Sequence, residues 1–453
     1  MSLRDKVRYR MMKDVGLPAA MGIDRLRKAR RVRPRDPLFG PPLESSGVLK
    51  SLMMRHYGLA RYAEGAMPVA WVTSGAPVEL LRAFGFYTVY PENHGAVCGA
   101  RRVAPDICAE AEAAGFSQDL CSYARIDIGH ALSGKTPVGK LPRPDLLFCT
   151  NNICQTILYW FKDLSHMYGI PLIVLDTPFL YGEPAAATMD YVSGQIRDMV
   201  TALERITGKP FDEARLAEVL ESSRRGSELW GKVLATMRHR PAPMTIFDAF
   251  VHLAPVVSLR GLPVCERYYE GLLAELEDRV ERNVAAVPGE RHRLMWDNIA
   301  IWFALKPMSR FFAENGCVGV AGTYTNAWAE TAHHLDLKDP WGSMARAYGL
   351  IFLNRDLGYR LDLMARIAAD YAADGLVLHS ARSCKPYSVG QYDIRRKLSE
   401  RLGIRTVVIE ADMTDFRAYS EEQAKTRLAA FFESLVGGRD GAAAAAGGGG
   451  CGA

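Results

Sequence analysis

Residues 375–415 decide the fold, and they read GLVLHSARSCKPYSVGQYDIRRKLSERLGIRTVVIEADMTD. The apolar run Leu376–Leu378 predicts a short strand, which gives way to a polar loop that holds Cys384. Apolar residues four apart then predict a helix from about Gln391 to Leu402, where a glycine follows as a typical helix stop. The run Val407–Ile409 predicts a second strand. The segment is therefore expected to form a strand, loop, helix and strand, with the cysteine between the first strand and the helix.

An earlier segment, residues 145–178, has the same order of features and reads DLLFCTNNICQTILYWFKDLSHMYGIPLIVLDTP. Its first apolar run is followed by a loop with Cys154, a helical pattern, a glycine stop and a second apolar run, Leu172–Leu175. Open parallel α/β sheets place their sites at the carboxyl ends of strands. The amino terminus of a helix also favours negative charge, so a thiolate or an anionic cluster suits this position. We therefore expect two α/β units of like design, each with a cysteine at the carboxyl end of a strand.

The whole chain is expected to be an α/β protein with two Rossmann- or flavodoxin-like parallel-sheet domains and a helical connecting domain. The helical domain is predicted from apolar residues that recur at spacings of three and four, and the tail from its low complexity. The expected parts are a basic, partly helical N-terminal extension (1–64), a first α/β domain (65–192), the helical domain (193–293), a second α/β domain (294–436) and a disordered Ala/Gly tail (437–453).

Composition excludes some classes of function. The 453 residues carry a formal net charge of +5, which is too mild to indicate nucleic-acid binding. No apolar run reaches the roughly 18 residues that a membrane span needs, and the N-terminus lacks the pattern of a signal peptide. We therefore expect a cytoplasmic protein that binds neither nucleic acid nor a membrane.

The chain contains nine cysteines, and in a large intracellular protein metal or redox use explains them better than a disulfide framework. No CxxC, HExxH or Cys/His finger spacing occurs, so a metal site would have to be assembled from distant residues. Cys121, Cys154 and Cys384 share one setting, a polar loop at the start of a helix. Three thiolates would leave one iron of a four-iron cluster open to water or substrate. The alternative for each is a small buried hydrophobic residue. That alternative is expected for Cys98, Cys108, Cys149, Cys265 and Cys317.

Several longer segments resemble the family of 2-hydroxyacyl-CoA dehydratases and benzoyl-CoA reductases, which are iron–sulfur enzymes. The segments are VCGARRVAPDICAEAEAAGFSQDLCSYAR (97–125), FCTNNICQTILYW (148–160), HSARSCKPYSVGQYDI (379–394) and IEADMTDFRAYSEEQAKTR (409–427). The resemblance covers roughly residues 65–435. It implies that Cys121, Cys154 and Cys384 bind a [4Fe-4S] cluster.

The family resemblance also implies an activity and a set of partners. The implied reaction eliminates water from a 2-hydroxyacyl-CoA through a ketyl radical, after ATP-driven transfer of one electron. The implied partners are an acyl-CoA substrate, a homologous second subunit and a separate ATP-hydrolysing iron–sulfur activator protein. Because reductase subunits share the same cysteine segments, a subunit of an ATP-dependent benzoyl-CoA or other aromatic acyl-CoA reductase is the alternative.

Candidates for acid–base chemistry and for charge binding lie near these segments. The family often carries an acidic residue that lines the cluster pocket, and Glu79 occupies the matching helix start; the alternative is a partner for the helix dipole. His379 precedes the cysteine loop and is expected either to face the cluster or to pack. Arg382 and Lys385 flank Cys384, where they would offset the charge of a thiolate-ligated cluster or bind CoA phosphates.

For two further pairs of ionisable residues, each close together in sequence, the predicted roles are less specific. Glu92 and His94 fall in a stretch, Glu92–Ala100, that its polar and glycine residues predict to be a loop, and an ordinary loop role is as plausible for them as a chemical one. Glu410 and Asp412 end the last strand, and structural hydrogen bonding is favoured for both.

Two hypotheses from other classes remain open. If the chain is a cluster-bearing partner subunit that has no turnover of its own, the isolated chain should contain iron but bind no acyl-CoA. A two-domain α/β binding protein with unmetallated cysteines predicts no iron and intact folding when all three cysteines are replaced by serine.

Overall fold

The computed structural model describes residues 1–29 and 36–447, and it describes side chains over 1–23 and 36–436. Parts of the predicted N-terminal extension (30–35) and of the predicted tail (448–453, with Cys451) therefore lie outside the described residues. Each cysteine before the tail is a free thiol. Within the described ranges, no helix combines the length and the apolar composition that crossing a bilayer requires.

The N-terminal part is helical and packs on the first sheet domain. It contains α1 (Leu3–Met11), a π turn, α2 (Leu17–Ala29) and α3 (Ser45–Ala63). The side chain of Tyr9 is half-buried against the core, and the backbone N–H of Ser2 donates to the carbonyl of Gly65 at 3.0 Å. This segment is therefore attached to the body of the molecule.

The first sheet consists of β1 (Val69–Val72), β2 (Tyr87–Val89), β3 (Leu146–Thr150) and β4 (Leu172–Leu175), all parallel and in the order β2-β1-β3-β4. Every residue of β1 and β3 is buried, because helices cover both faces of a parallel sheet. The helices are α4 (Val78–Ala83), α5 (Pro91–Ala100), α6 (Ala104–Ala113), α7 (Ser122–Ser133) and α8 (Gln155–Tyr168). Gly169 ends α8 at φ +62°, as its glycine predicted.

Five helices connect the two sheets. They are α9 (Ala186–Thr207), α10 (Glu213–Ala235), α11 (Ile246–His252), α12 (Ala254–Ser258) and α13 (Pro263–Glu281). Most of the apolar residues that predicted this helical region are buried, namely Leu216, Val219, Leu220, Val233 and Leu234.

The second sheet repeats the topology of the first. It consists of β5 (His292–Asp297), β6 (Cys317–Gly322), β7 (Gly375–Ala381) and β8 (Arg405–Ala411), all parallel and in the order β6-β5-β7-β8. Its helices are α14 (Leu305–Glu314), α15 (Thr323–Glu330), α16 (Pro340–Gly349), α17 (Leu357–Asp370), α18 (Lys385–Ser388), α19 (Gln391–Leu402) and α20 (Glu421–Gly447). Both sheets thus have the flavodoxin-like order in which the first strand lies between the second and third. The prediction of two parallel-sheet α/β domains with helices between them is confirmed.

Two local predictions differ from the structure. Residues 92–100 were predicted to be a loop, which is wrong, because they belong to α5. The glycines that suggested a loop serve packing instead: a Cβ on Gly95 would lie 2.4 Å from the Tyr123 ring, and one on Gly99 would lie 2.9 Å from Thr414. The second difference concerns residues 437–447, which continue α20 where the sequence suggested a disordered tail. Within this extension, the alanines at 442–446 favour a helix, because alanine is the best helix former.

Candidate active site

Three cysteines occupy the same structural position on three helices. Cys121, Cys154 and Cys384 are the N-cap residues of α7, α8 and α18, and each is half-buried. Cys154 follows β3 and Cys384 follows β7, and each of these strands is second from one edge of its sheet. The loops at the carboxyl ends of the two sheets therefore bring the predicted cysteines to one place.

The three thiols lie close enough to influence one another. Burial raises the pKa of all three, and the charges of Cys384 and Cys154 raise that of Cys121 further. Burial and Cys154 together raise the pKa of Cys384 to about 12. Cysteines with such pKa values are neutral thiols unless a cation binds them, and a coordinating thiol is deprotonated outright.

Backbone amides of the three helices favour the thiolate form. None of the sulfurs accepts a regular capping hydrogen bond. At each cysteine, however, the backbone N–H of the third residue of the following helix lowers the pKa and so partly opposes the effect of burial. These residues are Ala124 for Cys121, Ile157 for Cys154 and Tyr387 for Cys384. Three helix starts therefore direct their positive ends toward one cluster of sulfurs.

A buried arginine supplies a cation beside the sulfurs. Arg360 is 7% exposed, its guanidinium lowers the pKa of Cys384, and its Nη1 donates to the carbonyl of Pro386 at 2.9 Å. Its Nε and Nη2 have no hydrogen-bond partner among the described residues. A buried cation with unused donors is suited to an anionic group at this position. Nothing in the sequence marks Arg360, since it lies on α17 well before Cys384.

Thiols are the protein ligands that iron–sulfur clusters use. Within residues 1–23 and 36–436, no three His, Cys, Asp or Glu side chains are arranged to hold one metal ion. A single ion draws its ligands to about 2.0–2.3 Å from one centre, whereas a four-iron cluster takes one thiolate at each of its corners. Cys121, Cys154 and Cys384 could supply three of these thiolates.

A hydrogen-bonded network ties the two cysteine loops together. The N–H of Ser122, next to Cys121, donates to Oγ of Ser383, next to Cys384, at 3.1 Å. Ser383 donates to Asp412, whose Oδ1 accepts the N–H groups of Thr414 and Asp415, both at 2.9 Å. The structural role predicted for Asp412 is confirmed. The network therefore links the first sheet domain to the second beside Cys121 and Cys384.

Glu79 takes part in a buried ion pair. Its Oε1 accepts from Arg260 Nε at 3.2 Å and its Oε2 from the Tyr348 hydroxyl at 2.7 Å. Glu79 and Arg260 are both fully buried. Arg260 comes from the helical region and Tyr348 from α16, so the group joins the three parts of the chain. None of these contacts involves the cysteines, and both carboxylate oxygens are in use.

Replacing Glu79 by alanine is expected to lower the free energy of unfolding by about 3–5 kcal/mol, because Arg260 would remain buried without its counter-charge. Urea unfolding followed by circular dichroism measures the effect. Glu183→Ala is the matched control: this carboxylate pairs with Arg355 but is 92% exposed, so a loss below about 1 kcal/mol is expected. A Glu79→Ala protein of unchanged stability would contradict a structural role.

His379 is a core residue in the structure. It is fully buried, its Nδ1 donates to the Ile299 carbonyl at 2.7 Å, and its ring lies 5.9 Å from that of Trp296. Burial lowers its pKa to about 4, so the imidazole is neutral. Its Nε2 has no partner among the described residues. Of the two interpretations given for His379, the structure favours packing.

Arg382 and Lys385 lie on the outside of the Cys384 loop. Both side chains are exposed, and Lys385 Nζ donates to the carbonyl of Arg382 at 2.9 Å. Arg360 rather than either of them is the buried cation beside the sulfurs. The two exposed residues remain available for a ligand at the rim of the site.

Glu92 is the acid–base group that the structure places beside the cysteines. It lies in the first turn of α5, and its carboxylate accepts from Ser74 N at 2.8 Å and from Ser74 Oγ at 2.9 Å. Burial raises its pKa to about 7, and its charge in turn raises the pKa of Cys154. Tyr324 at the start of α15 lies near both Glu92 and Cys384. No sequence pattern pairs Glu92 with Ser74, because β1 and α5 bring them together across an intervening helix and strand.

A second buried carboxyl, Asp127, lies on α7 near Glu92. Its Oδ2 accepts from Trp160 Nε1 at 3.1 Å, and its Oδ1 has no partner among the described residues. Burial raises its pKa to about 8, opposed by Trp160 and assisted by the charge of Glu92. The folded protein therefore keeps this proton at neutral pH.

The pKa of Asp127 predicts a dependence of stability on pH. An unfolded aspartate loses its proton near pH 4, whereas the folded one loses it near pH 8. The stability that this proton contributes is complete below pH 4 and is lost as the pH rises to 8, by about 1.4 kcal/mol per pH unit. Asp127→Asn is expected to remove this pH dependence from the free energy of unfolding, as measured by denaturation between pH 4 and pH 8. The control Asp198→Asn, at an exposed aspartate, should retain the pH dependence of the wild type. Parallel curves for wild type and Asp127→Asn would contradict the assignment.

Comparison with known proteins identifies one family. The family model for 2-hydroxyglutaryl-CoA dehydratase, D-component, matches residues 73–435. The chain is similar to the (R)-2-hydroxyisocaproyl-CoA dehydratase alpha subunit of Clostridioides difficile, with 32% identity over 86% of this chain and 96% of that protein. It is similar to the lactoyl-CoA dehydratase alpha subunit of Anaerotignum propionicum, with 32% identity over 81% and 90% of the two chains. It is also similar to a benzoyl-CoA reductase subunit of Thauera aromatica, with 29% identity over 83% and 91%.

Proposed function

Because the chain belongs to the 2-hydroxyglutaryl-CoA dehydratase D-component family, we propose that it is the iron–sulfur subunit of a 2-hydroxyacyl-CoA dehydratase. The enzyme would eliminate water from its acyl-CoA substrate through a ketyl radical, after ATP-driven reduction by one electron. One observation supports this most strongly: Cys121, Cys154 and Cys384 meet where the carboxyl ends of two parallel sheets adjoin.

Cys121, Cys154 and Cys384 would hold the [4Fe-4S] cluster. When bound, such a cluster supplies one-electron chemistry and an iron without a protein ligand. Arg360 would compensate part of the negative charge of the thiolates from its buried position. The helix starts at the three cysteines add partial positive charge in the same direction.

Glu92 would hold or accept a proton beside the substrate. The two hydrogen bonds from Ser74 fix the orientation of its carboxyl group, and a pKa near 7 suits both uptake and release of a proton at neutral pH. Tyr324 is the neighbouring hydroxyl that would orient the substrate. The side chains of Tyr123 and Trp302, which are joined by a hydrogen bond of 2.6 Å, would exclude water from the surroundings of Cys121 and Glu92.

The proposed partners follow from the relatives. Several are named as alpha subunits, so we expect this chain to assemble with a homologous second subunit. An ATP-hydrolysing iron–sulfur activator would deliver the electron. The exposed cations Arg382 and Lys385 at the rim of the cysteine loop are the candidates for binding the phosphates of the CoA moiety.

The second candidate function is a subunit of an ATP-dependent aromatic acyl-CoA reductase. It is supported by the similarity to a benzoyl-CoA reductase over most of both chains. The same cysteine site and the same electron donor would serve either reaction, so the structure of this chain supports both chemistries.

Anaerobic purification followed by iron and sulfide analysis tests the shared premise. About four irons per chain, with an EPR signal after reduction, are expected. Turnover is then measured with the second subunit and the activator, using a 2-hydroxyacyl-CoA and benzoyl-CoA in parallel. Formation of an enoyl-CoA supports the dehydratase, and reduction of the ring supports the reductase. A well-folded protein that stays free of iron after anaerobic reconstitution would overturn both.

A further inference from the structure

An open groove of about 980 Å³ follows the outer edge of the second sheet. Its floor is the first half of β8, which is the edge strand of that sheet. One wall is α19 and the other is α20. The groove begins at the amino end of β8, whereas the cysteines lie at the carboxyl ends of the strands, so it is separate from the candidate active site. Its lining residues on the walls are Tyr392, Arg395, Ser399, Arg427, Ala430 and Phe431.

The backbone of β8 offers hydrogen-bonding groups to this groove. The carbonyl of Ala411 accepts from Arg382 N–H at 2.8 Å on the side of β7. Because successive residues of a strand direct their backbone groups to opposite sides, those of Thr406 and Val408 point outward. Arg427 Nη1 confirms this direction, since it reaches the Val408 carbonyl from outside at 3.4 Å. An edge of this kind is a template for one more strand.

The groove has a basic character. Arg395, Arg405 and Arg427 line it, and no acidic side chain does. Arg395 and Arg405 are exposed, and neither forms an ion pair with a carboxylate in the part of the chain that the structure describes. Val407 and Phe431 provide apolar surface between the arginines. The combination therefore favours a ligand with alternating acidic and apolar groups.

We propose that this groove binds an extended acidic segment of a partner protein, which adds as a strand to β8. Main-chain hydrogen bonds to Thr406 and to the N–H of Val408 would give affinity, and the arginines would select carboxylates. A compact phosphate ligand fits less well, because small-molecule sites enclose most of the ligand surface, whereas this groove is open to solvent along its length. The proposal does not depend on the reaction at the cysteines.

The test is fluorescence anisotropy of the full-length chain with a labelled peptide, acetyl-EVEVEVEV-amide. Binding is expected, and Arg395→Gln combined with Arg405→Gln should weaken it about tenfold, since two charge-assisted contacts are lost. The matched control is Arg396→Gln combined with Lys397→Gln, two exposed cations of the same helix outside the groove. This control should bind the peptide like the wild type. Circular dichroism verifies that both double variants are folded.

A second peptide separates strand addition from simple charge attraction. It has the same sequence with alternate residues N-methylated, which keeps every charge and removes the backbone donors. Binding at least about tenfold weaker than that of the parent peptide is expected, because main-chain hydrogen bonds carry the affinity in strand addition. The proposal would be overturned if the two peptides bound equally well or if neither bound. It would also be overturned if inorganic tripolyphosphate, added at the same concentration of negative charge as the peptide, displaced the labelled peptide.

Discussion

A Cys384→Ser variant is expected to lose most of its iron. Cys384 is one of three thiols that would hold the cluster, and the variant replaces a soft thiolate ligand by a hydroxyl, which binds iron–sulfur centres poorly. Two remaining thiols leave half of a four-iron cluster without protein ligands. Iron content after anaerobic reconstitution should fall from about four per chain to below about one.

Cys317→Ser is the matched control for this experiment. Cys317 is also buried in the second sheet domain, and its Sγ already makes a polar contact of 3.7 Å with the carbonyl of Asn315. A serine hydroxyl should replace that contact and leave the iron content unchanged. If Cys384→Ser retained a full complement of iron, the ligand assignment would be wrong even though the fold and the family are established.

Glu92→Gln is expected to lower turnover about 10²–10⁴-fold, the usual contribution of one general acid or base. The glutamine side chain has the same shape, and its amide can maintain both contacts with Ser74, so the fold and the cysteine site should stay intact. Iron content equal to that of the wild type separates this loss from damage to the cluster site. Coupled assays with the second subunit and the activator measure the loss.

Glu110→Gln provides the comparison for Glu92. Glu110 lies on α6, is partly exposed and pairs with Lys135 at 2.5 Å, so near-normal turnover is expected. Wild-type turnover in Glu92→Gln would show that another group moves the proton, with Tyr324 as the next candidate. Loss of iron in the same variant would instead make Glu92 a positioning residue for the cysteine loops.

The sheets were predictable because their signals are local. Buried parallel strands give short apolar runs, and glycine at a helix end adopts a positive φ that other residues avoid, as at Gly169 and Gly403. The cysteines were found by their shared position at a strand-to-helix junction and by the family resemblance. The first kind of signal is read from neighbouring residues, and the second from four separate segments of the chain.

The residues that the sequence did not reveal depend on contacts between distant segments. The glycines of α5 predicted a loop, yet their role is to admit Tyr123 and Thr414. Arg360 stands beside Cys384 only because α17 packs against α19. Glu79 was placed at the cluster by analogy, while the structure gives it Arg260 and Tyr348 as partners, which lie 181 and 269 residues away in sequence. Such pairings have no periodicity, so no pattern in one sequence indicates them.

The division of the three cysteines between two sheet domains sets an order for biosynthesis. Cys121 and Cys154 emerge from the ribosome with the first sheet, and they precede Cys384 by more than half of the chain. A nascent chain therefore presents two unligated thiols while the helical region and most of the second sheet are still being made. Any metal group that requires all three must enter after the last quarter of the chain has docked. Insertion of the proposed cluster would thus be a late, post-translational event, and oxidation of the first two thiols before that event would prevent it.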